Sequence, residues 1–415
     1  MNKPTPSHRF SVQCCIAGGG PAGLIAGLLL ARAGVEVLVL EKHKDFLRDF
    51  RGDTIHPSTL EVMRELKLAE NLLRLPHAKV SALEFHVGEE TLKLADFSGL
   101  AVRYPFIAIM PQWDFLAFIA KEAARFSRFN LIMQAEALGL IEEGGRVAGV
   151  RVDQPGGEFE VRADLVIAAD GRRSVLREQA GLAIDVLGAP VDVQWFPLPR
   201  RTGDPHQVSG YLGRGEILVM IDRGEHWQCG YVIAKGSDAT LRAGSIEVFR
   251  ERLARLVPLL ADRVDTLKSW DDVKLLTVAV DRLVQWYKPG LLCIGDAAHA
   301  MSPVGGVGIN LAIQDAVAAA NILWRPLRDG TLTVEHLRSV QHRRELPTRI
   351  TQLFQVFVQN RIMGRVLQGG EPRAPLPMRL AARFPALRRR VAQFVGLGVR
   401  PEHIESPRAR EPWTG

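Results

Sequence analysis

Three glycines near the start of the chain, Gly18, Gly20 and Gly23, follow the spacing Gly-x-Gly-x-x-Gly inside "AGGGPAG". Glycines so placed suit the wrapping of main chain around a pyrophosphate. The first permits a tight turn, the second lets the backbone approach the anion, and the third lets a helix lie close on a strand. Pro21 and Ala22 share that turn, at the start of a helix whose N–H groups and dipole favour an anion. Glu41, 18 residues after Gly23, ends the next apolar run with Lys42 beside it, and an acid there accepts hydrogen bonds from an adenosine ribose. The pattern reads as a site for a dinucleotide, NAD or FAD, and does not separate the two.

A second glycine-rich stretch, "GDAAHAMSPVGGVGIN" (295–310), carries different chemistry. Asp296 presents a carboxylate suited to the hydroxyls of a sugar-alcohol chain. Gly305, Gly306 and Gly308 allow main chain to lie against a flat ring without Cβ clashes. The helix that follows aims its positive end at that ring, where negative charge gathers when a flavin is reduced. NAD has no ribityl chain and needs no second anchor, so the two loops together select FAD.

The elements around these loops explain how they are positioned. "SVQCCIAGGG" (11–20) reads as a buried strand, "PAGLIAGLLLARAG" (21–34) as a helix and "VEVLVLEKH" (35–43) as a second strand, a unit that opens a nucleotide-binding sheet. Residues 80–97 read as a hairpin around Gly88, and "DLVIAADG" (164–171) as a strand ending in a polar turn. From 183 to 285 the pattern is antiparallel β, with a hairpin over 216–234 turning at Asp222–Glu225. One helix interrupts it, with Ile246, Phe249, Leu253, Leu256 and Leu260 on one face. From 291 the first style returns, and the tail after 335 reads as helices punctuated by Pro347, Pro375, Pro377 and Pro385. The expected fold class is α/β: an FAD-binding Rossmann-like domain of the glutathione reductase type, built from segments 1–79, 106–182 and 286–345. An antiparallel β-sheet substrate domain is inserted as 80–105 and 183–285, and 346–415 forms a helical C-terminal region.

Composition excludes several classes. A chain of 415 residues exceeds one ordinary core, and 47% hydrophobic with 24% charged residues is the balance of a soluble globular protein. The apolar span 23–31 stops at Arg32, far short of the roughly 20 residues that cross a bilayer. The first ten residues hold no signal core, so a cytoplasmic protein is expected. Cys14, Cys15, Cys229 and Cys293 lie in apolar runs without metal-ligand spacing, which reads as buried reduced thiols and no metal site. Residues 341–415 hold fourteen arginines and no lysine against five glutamates, more than the whole net charge of +7. No zinc pattern or aromatic groove accompanies this basic tail, so it reads as a solvated surface with no nucleic acid partner. Ile350, Leu353, Phe354, Phe357, Val358 and Met363 have helical spacing. Packing onto the main body is the first reading, a dimer interface the second and a peripheral membrane contact the third, in a monomer or homodimer.

In this order and spacing the first loop, "DGRRSVLR" (170–177) and "GDAAHAMSPVGGVGIN" resemble the single-component flavoprotein aromatic hydroxylases of the para-hydroxybenzoate hydroxylase type, across residues 18 to 310. The resemblance implies an FAD-dependent monooxygenase with NAD(P)H as a transient co-substrate and dioxygen. Through a flavin hydroperoxide, it would hydroxylate an aromatic or other hydrophobic small molecule. It also implies that Asp170 belongs to a motif serving both FAD and NAD(P)H, and that Asp296 binds the ribityl chain. Pro303 would sit near the ring, with the backbone of Gly306, Val307, Gly308, Ile309 and Asn310 along its pyrimidine edge. Arg51 and Gln112 stand where the family supplies further FAD contacts. His299 reads as a structural histidine, and Arg172, Arg173 and Arg177 suit either nicotinamide phosphates or a solvated cluster. Trp195, Phe196, Tyr211, Met220, Trp227 and Tyr231 are candidates for a substrate wall. His56, His226, Tyr211 and Tyr231 are candidates for removing a phenolic proton, and no catalytic residue is singled out among them. Two alternatives stay open: a reductase or dehydrogenase of the same fold acting on a polyprenyl-type substrate, and a non-catalytic flavin-binding sensor.

Overall fold

The first apolar run forms the strand Arg9–Ala17, which lies in the interior of a mixed sheet. The protein is described here by a computed structural model covering residues 9–47, 54–205, 208–369 and 374–409. Across this sheet the order is Tyr287–Lys288, Leu291–Cys293, Phe159–Ala168, Arg9–Ala17, Val37–Glu41 and Phe129–Met133. All of these except Tyr287–Lys288 pair in parallel. A parallel sheet is covered on both faces, so its strands are apolar throughout rather than alternating. Cys14 and Cys15, on opposite faces, are accordingly both 0% exposed, and burial pushes the Cys15 thiol up to about 12. The helices Pro21–Arg32 and Gly308–Arg328 pack against each other over this sheet. Among the described residues, Val304–Arg328 is the one segment long and apolar enough to cross a membrane, and 67% of its apolar 18-residue stretch is buried within the fold.

The β-rich residues build a second, seven-stranded sheet in the order Lys274–Leu276, Val191–Pro199, His226–Ala234, Ile217–Asp222, Val208–Leu212, Ala82–Val87 and Glu90–Asp96. The expected hairpin forms and closes where Asp222 faces Trp227. The hairpin around Gly88 joins the same sheet through a parallel pairing of Val208–Leu212 with Ala82–Val87. One face is covered by the helix Ile246–Leu256, started by Ser245, whose Oγ accepts from the Val248 amide at 3.4 Å. Ile246, Phe249 and Leu253 face inward. The helix stops before Leu260, which is buried by a separate turn, Pro258–Leu260, because Pro258 has no N–H to continue the ladder.

The C-terminal helices are Val334–Val358, Leu376–Arg383 and Pro385–Leu397. Two sequence expectations fail in the first of them. Pro347 lies inside its 25 residues instead of ending it. The amphipathic face is also inverted. Arg344, Thr348, Thr351, Gln352 and Gln355 are buried, while Leu346, Leu353 and Phe357 are 53%, 63% and 49% exposed. Of the apolar stripe, Phe354 does pack, with its ring 4.9 Å from that of Phe394. The inversion has a physical cause. This helix lies on the main chain of a loop, and buried N–H and C=O groups require polar partners.

Candidate functional site

The parallel strands deliver their carboxyl ends to one edge of the sheet, the edge where open α/β sheets bind ligands. Main-chain bonds latch those ends together: the amides of Gly18, Ala169 and Ile294 donate to Leu40 O, Ala17 O and Ala168 O at 2.8, 2.8 and 3.0 Å.

In the first loop the three glycines divide their work as their spacing predicts. A Cβ on Gly23 would lie 1.9 Å from Gly18 O, and one on Gly18 would lie 2.3 Å from Ala169 O, whereas Gly20 has nothing within 4 Å. Two glycines are thus demanded by the protein itself, and the third faces open space. Gly20 also precedes the helix Pro21–Arg32, whose first turn has no side-chain cap and no acidic residue. Its leading N–H groups thus have no side-chain cap of their own, the arrangement that suits an anion at a helix start. Pro21 and Ala22 begin that helix. Glu41 reaches back to the loop and accepts from the Gly19 amide at 3.0 Å and from the His43 amide at 3.0 Å. Lys42 stands apart, half-exposed and 3.5 Å from Glu136.

Asp170 follows the next strand. Burial raises its carboxyl above the usual range, and its Oδ1 is buried with no hydrogen-bond partner. Gly295, at φ +59°, brings the second loop against the first: a Cβ there would lie 3.1 Å from Ala312 Cβ and 3.2 Å from Ala22 Cβ. Asp296, the next residue, is about one-third exposed and accepts from Arg172 Nε at 3.0 Å. Further along, Gly306 adopts φ +63° against Thr54, whose Oγ1 donates to Gly306 O at 2.8 Å. The Asn310 side chain accepts from the His56 amide and Thr59 Oγ1 and donates to Thr54 O, at 2.9, 2.7 and 3.1 Å. Asn310 thus clamps the loop by its side chain as well as lining it by its backbone. Pro303, Val307, Gly308 and Ile309 are all half-buried around it. Gln112 begins the helix Gln112–Ala123, after a strand that pairs with Thr54–Ile55. Arg51 lies outside the described residues.

The arginine cluster splits. Arg177 is buried and donates to Ala297 O at 3.2 Å and to Arg172 O at 2.8 Å, so it braces the second loop. Arg172 is engaged by Asp296, and Arg173 is exposed. His299 is a structural residue: it is 1% exposed, with Nε2 2.6 Å from Asp315 Oδ2 and its ring 5.0 Å from Trp286.

Several residues that hold the site were missed in the sequence. Gln352 Nε2 donates to Ala300 O (3.1 Å), Gln355 Nε2 to Ser302 O (2.9 Å) and Val304 O (3.0 Å), and Gln359 Nε2 to Ser302 Oγ (2.6 Å). The Ser302 amide returns a bond to Gln355 Oε1 at 3.1 Å. Three glutamines thus carry the stretch between Asp296 and the helix. Their spacing of three and four was a readable signal, obscured by the apolar stripe beside it.

Of the proposed substrate wall, Phe196, Met220, Trp227 and Tyr231 face the Ile246–Leu256 helix and belong to its core. Burial pushes the Tyr231 phenol up to about 12. Tyr211 stacks on His86, with ring centroids 4.6 Å apart. His56 is 0% exposed, donates from Nδ1 to Val395 O at 2.7 Å, and is lowered to about 4 by burial. The fold therefore favours neutral His56, and this contribution is lost as pH falls from about 6.5 towards 4. By pH 5 the loss should amount to about 2 kcal/mol. Urea unfolding at pH 7 and pH 5 should show a difference smaller by about that amount in His56→Gln than in wild type. Equal differences would remove His56 as a source of acid sensitivity.

Comparison with known proteins agrees with this geometry. A family model for the FAD binding domain matches residues 11–353. The 6-methylpretetramide 4-monooxygenase of Streptomyces rimosus is 34% identical over 396 residues, covering 93% of this chain and 93% of that protein. The para-nitrophenol 4-monooxygenase of Pseudomonas sp. (strain WBC-3) is 25% identical over 337 residues, 77% of this chain and 79% of its own. Among solved structures, PqsL of Pseudomonas aeruginosa matches with a TM-score of 0.75 and 19% identity over 86% of this chain and 99% of that one, a shared fold.

Proposed function

The chain belongs to the FAD-binding-domain family and is a flavoprotein oxidoreductase of the aromatic-monooxygenase kind, and from that premise we propose that it hydroxylates a fused-ring aromatic compound using NADH or NADPH and dioxygen. The observation that carries the reading is the convergence of three loops, around Gly20, Asp170 and Asp296, at one edge of the parallel sheet. The 34% identity to an enzyme named for a 6-methylpretetramide substrate supports the substrate class. Bound FAD would supply the redox chemistry, passing electrons from the nicotinamide to dioxygen and the ring.

The residues fit that cofactor. Gly20, Ala22 and Gly23 offer main-chain amides to its pyrophosphate, while Gly18, whose amide is held by Leu40 O, and Pro21, which has no N–H, shape the turn. Glu41 faces its ribose, with Lys42, Arg51 and Gln112 as outer contacts. Asp170 and Asp296 take its hydroxyls, Arg172 moving with Asp296 or sharing it. Pro303 and the backbone of Gly306, Val307, Gly308, Ile309 and Asn310 border the ring, and the seven-stranded sheet walls off water on the other side. In this reading the segments 1–79, 106–182 and 286–345 hold the flavin, and 80–105 with 183–285 hold the substrate, in the cytoplasm.

Asp296→Ala should raise the FAD dissociation constant by about tenfold, the loss of one charge-assisted contact, while the far-ultraviolet spectrum stays unchanged. A folded variant with wild-type affinity would displace Asp296 from the site. The function itself is tested by stopped-flow flavin absorbance with NADH or NADPH across phenols and fused-ring aromatics. Acceleration of flavin reduction by one of these, with matching oxygen uptake, is the expected result. Reduction indifferent to every aromatic, with no oxygen uptake, would overturn it.

A further inference from the structure

The helices Leu376–Arg383 and Pro385–Leu397 meet at a corner, where the chain passes through Phe384 with extended backbone (φ −109°, ψ 113°) before Pro385 starts the second helix. Both helices pack on Glu90–Asp96, the edge strand of the seven-stranded sheet. What they bury is Met378, Ala381, Ala392, Val395 and Gly396. Their larger apolar residues turn the other way: Leu376, Leu380, Phe384 and Leu387 are 66%, 39%, 50% and 44% exposed. Leu376 and Leu380 are four apart and share one side of the first helix. From Arg383 to Leu387 every residue is exposed, so Phe384 and Leu387 stand out at the turn itself.

Arginine surrounds this apolar corner. Arg379, Arg383, Arg389 and Arg390 are exposed, and no aspartate or glutamate occurs from 374 to 401. Among the described residues none of these four forms an ion pair. By contrast, Arg349 of the preceding helix is held by Glu345 at 2.7 Å and Arg343 by Glu402 at 2.8 Å. On the strand beneath the corner, Asp96 is taken by Lys93 at 2.6 Å. A partner for this surface must therefore be both anionic and apolar. A nucleic acid would satisfy the arginines and leave the leucines in water. A second copy of the same face would set arginine against arginine. The surface of an anionic bilayer meets both demands, with phosphates for the guanidinium forks and an acyl boundary for the side chains between them.

We propose that this corner docks the protein on the surface of an anionic membrane, with Phe384 and Leu387 entering the boundary between headgroups and acyl chains and Arg379, Arg383, Arg389 and Arg390 on lipid phosphates. The contact is peripheral and reversible, and it is independent of the monooxygenase reading. It also has a consequence for the candidate site. Val395 lies on the same helix, ten residues beyond Pro385 and so about 15 Å along it. Its carbonyl accepts from His56 Nδ1 at 2.7 Å, and the His56 amide donates to Asn310 of the second glycine loop at 2.9 Å. One helix thus joins the docking corner to that loop, and holds the loop at a set distance from a surface where apolar aromatic compounds concentrate.

The test is co-sedimentation of the FAD-loaded protein with vesicles of phosphatidylcholine alone and of phosphatidylcholine mixed with phosphatidylglycerol. Wild type should pellet with the mixed vesicles, stay in solution with the neutral ones, and be released by high salt. An arginine near such a surface is worth about fivefold in partitioning, so Arg389→Gln with Arg390→Gln should weaken binding by roughly 25-fold. Phe384→Ser with Leu387→Ser should weaken it by at least about tenfold. Both double variants should keep the wild-type flavin absorbance and thermal midpoint, because all four side chains are exposed, and either serves if the other does not fold. Val186→Ser, at an apolar residue 74% exposed outside the corner, should bind as wild type does. Absence of wild type from the mixed-vesicle pellet, equal pelleting with neutral vesicles, unchanged binding in both double variants, or an equal loss in Val186→Ser would each overturn the proposal. So would full release by soluble glycerol phosphate, which would mark a site for a free anion. A dimer in gel filtration that Phe384→Ser with Leu387→Ser splits would overturn it too, marking a contact between copies. Failure of NADH and NADPH to reduce the flavin would count against the monooxygenase reading and leave vesicle binding standing.

Discussion

Gly23→Ala should abolish flavin retention. The added methyl would lie 1.9 Å from Gly18 O and 3.1 Å from Gly18 C, both backbone atoms, so no side chain can swing aside to admit it. The loop cannot retreat either. Gly18 is at φ +110°, its own amide is bound to Leu40 O at 2.8 Å, and behind it stands Ala169 O. Nor can the helix lift freely, since the second loop stands close behind it, with Ala22 Cβ only 3.2 Å from where a Cβ on Gly295 would lie. Overpacking of this kind costs about 1–3 kcal/mol, and here it is concentrated in the loop that meets the pyrophosphate. The FAD dissociation constant should rise by roughly 100-fold, measured by quenching of flavin fluorescence on titration of the apoprotein. Gly20→Ala makes the informative comparison. Its Cβ meets nothing within 4 Å, so the apoprotein should unfold at the wild-type temperature and only the cofactor should be lost. A Gly23→Ala protein that keeps its yellow colour through gel filtration would mean that the loop adapts, and the division of labour among the three glycines would be wrong.

These glycines were legible because a glycine's role is local: a turn angle or a close backbone approach is written in the residue and its spacing. The same holds for the strand–helix–strand start, the hairpin closing at Asp222 and Trp227, and the two-sided burial that made Cys14 and Cys15 part of an unbroken apolar run. What could not be read was which surface each element would meet. The helix Val334–Val358 shows two stripes, one of leucine and phenylalanine and one of arginine, threonine and glutamine, and the usual rule buries the apolar one. From Arg344 on it buries the polar one because its partner there is loop backbone, while Leu337 and Val340 nearer its start do join the core. Arg177 in "DGRRSVLR" stayed open between a ligand for phosphate and a solvated cluster for the same reason: nothing in the sequence says that Ala297 O lies 3.2 Å away. The aromatic candidates failed by alternation. Phe196 and Trp195 are adjacent and so point to opposite faces, one into the core under the helix Ile246–Leu256 and one against the cluster of Val193 and Val232, and the face is assigned only when both sheets are seen together.

That dependence on distant partners is strongest at Arg344. Asp315, 0% exposed, accepts from the Gly295 amide at 3.1 Å, from His299 Nε2 at 2.6 Å and from Arg344 Nε at 3.0 Å. Arg344, 1% exposed, also donates to Glu402 Oε1 at 3.2 Å, and so joins the second loop to the end of the described chain. Burial alone would raise the Asp315 carboxyl, but His299 and Arg344 outweigh it and hold the group below the usual range. A carboxylate with a depressed value contributes stability that is present above its unfolded value and lost as pH falls through the folded one. Arg344→Leu removes the shared cation and leaves Asp315 with His299 alone and Glu402 with Arg343. Breaking a buried pair this way costs about 3–5 kcal/mol. Because Asp315 holds the amide next to Asp296, flavin release should accompany the loss. Arg344→Lys should recover only part of it, since one ammonium cannot span both carboxylates as the guanidinium fork does. Urea unfolding followed by tryptophan and by flavin fluorescence should show both transitions shifted together in Arg344→Leu. Its acid-induced loss of stability should also be smaller than in wild type, because without the cation Asp315 no longer carries the depressed value whose contribution acid removes. Wild-type stability with wild-type flavin affinity would show that the buried network is incidental to the loop, and the second glycine stretch would then be held by its glutamines alone.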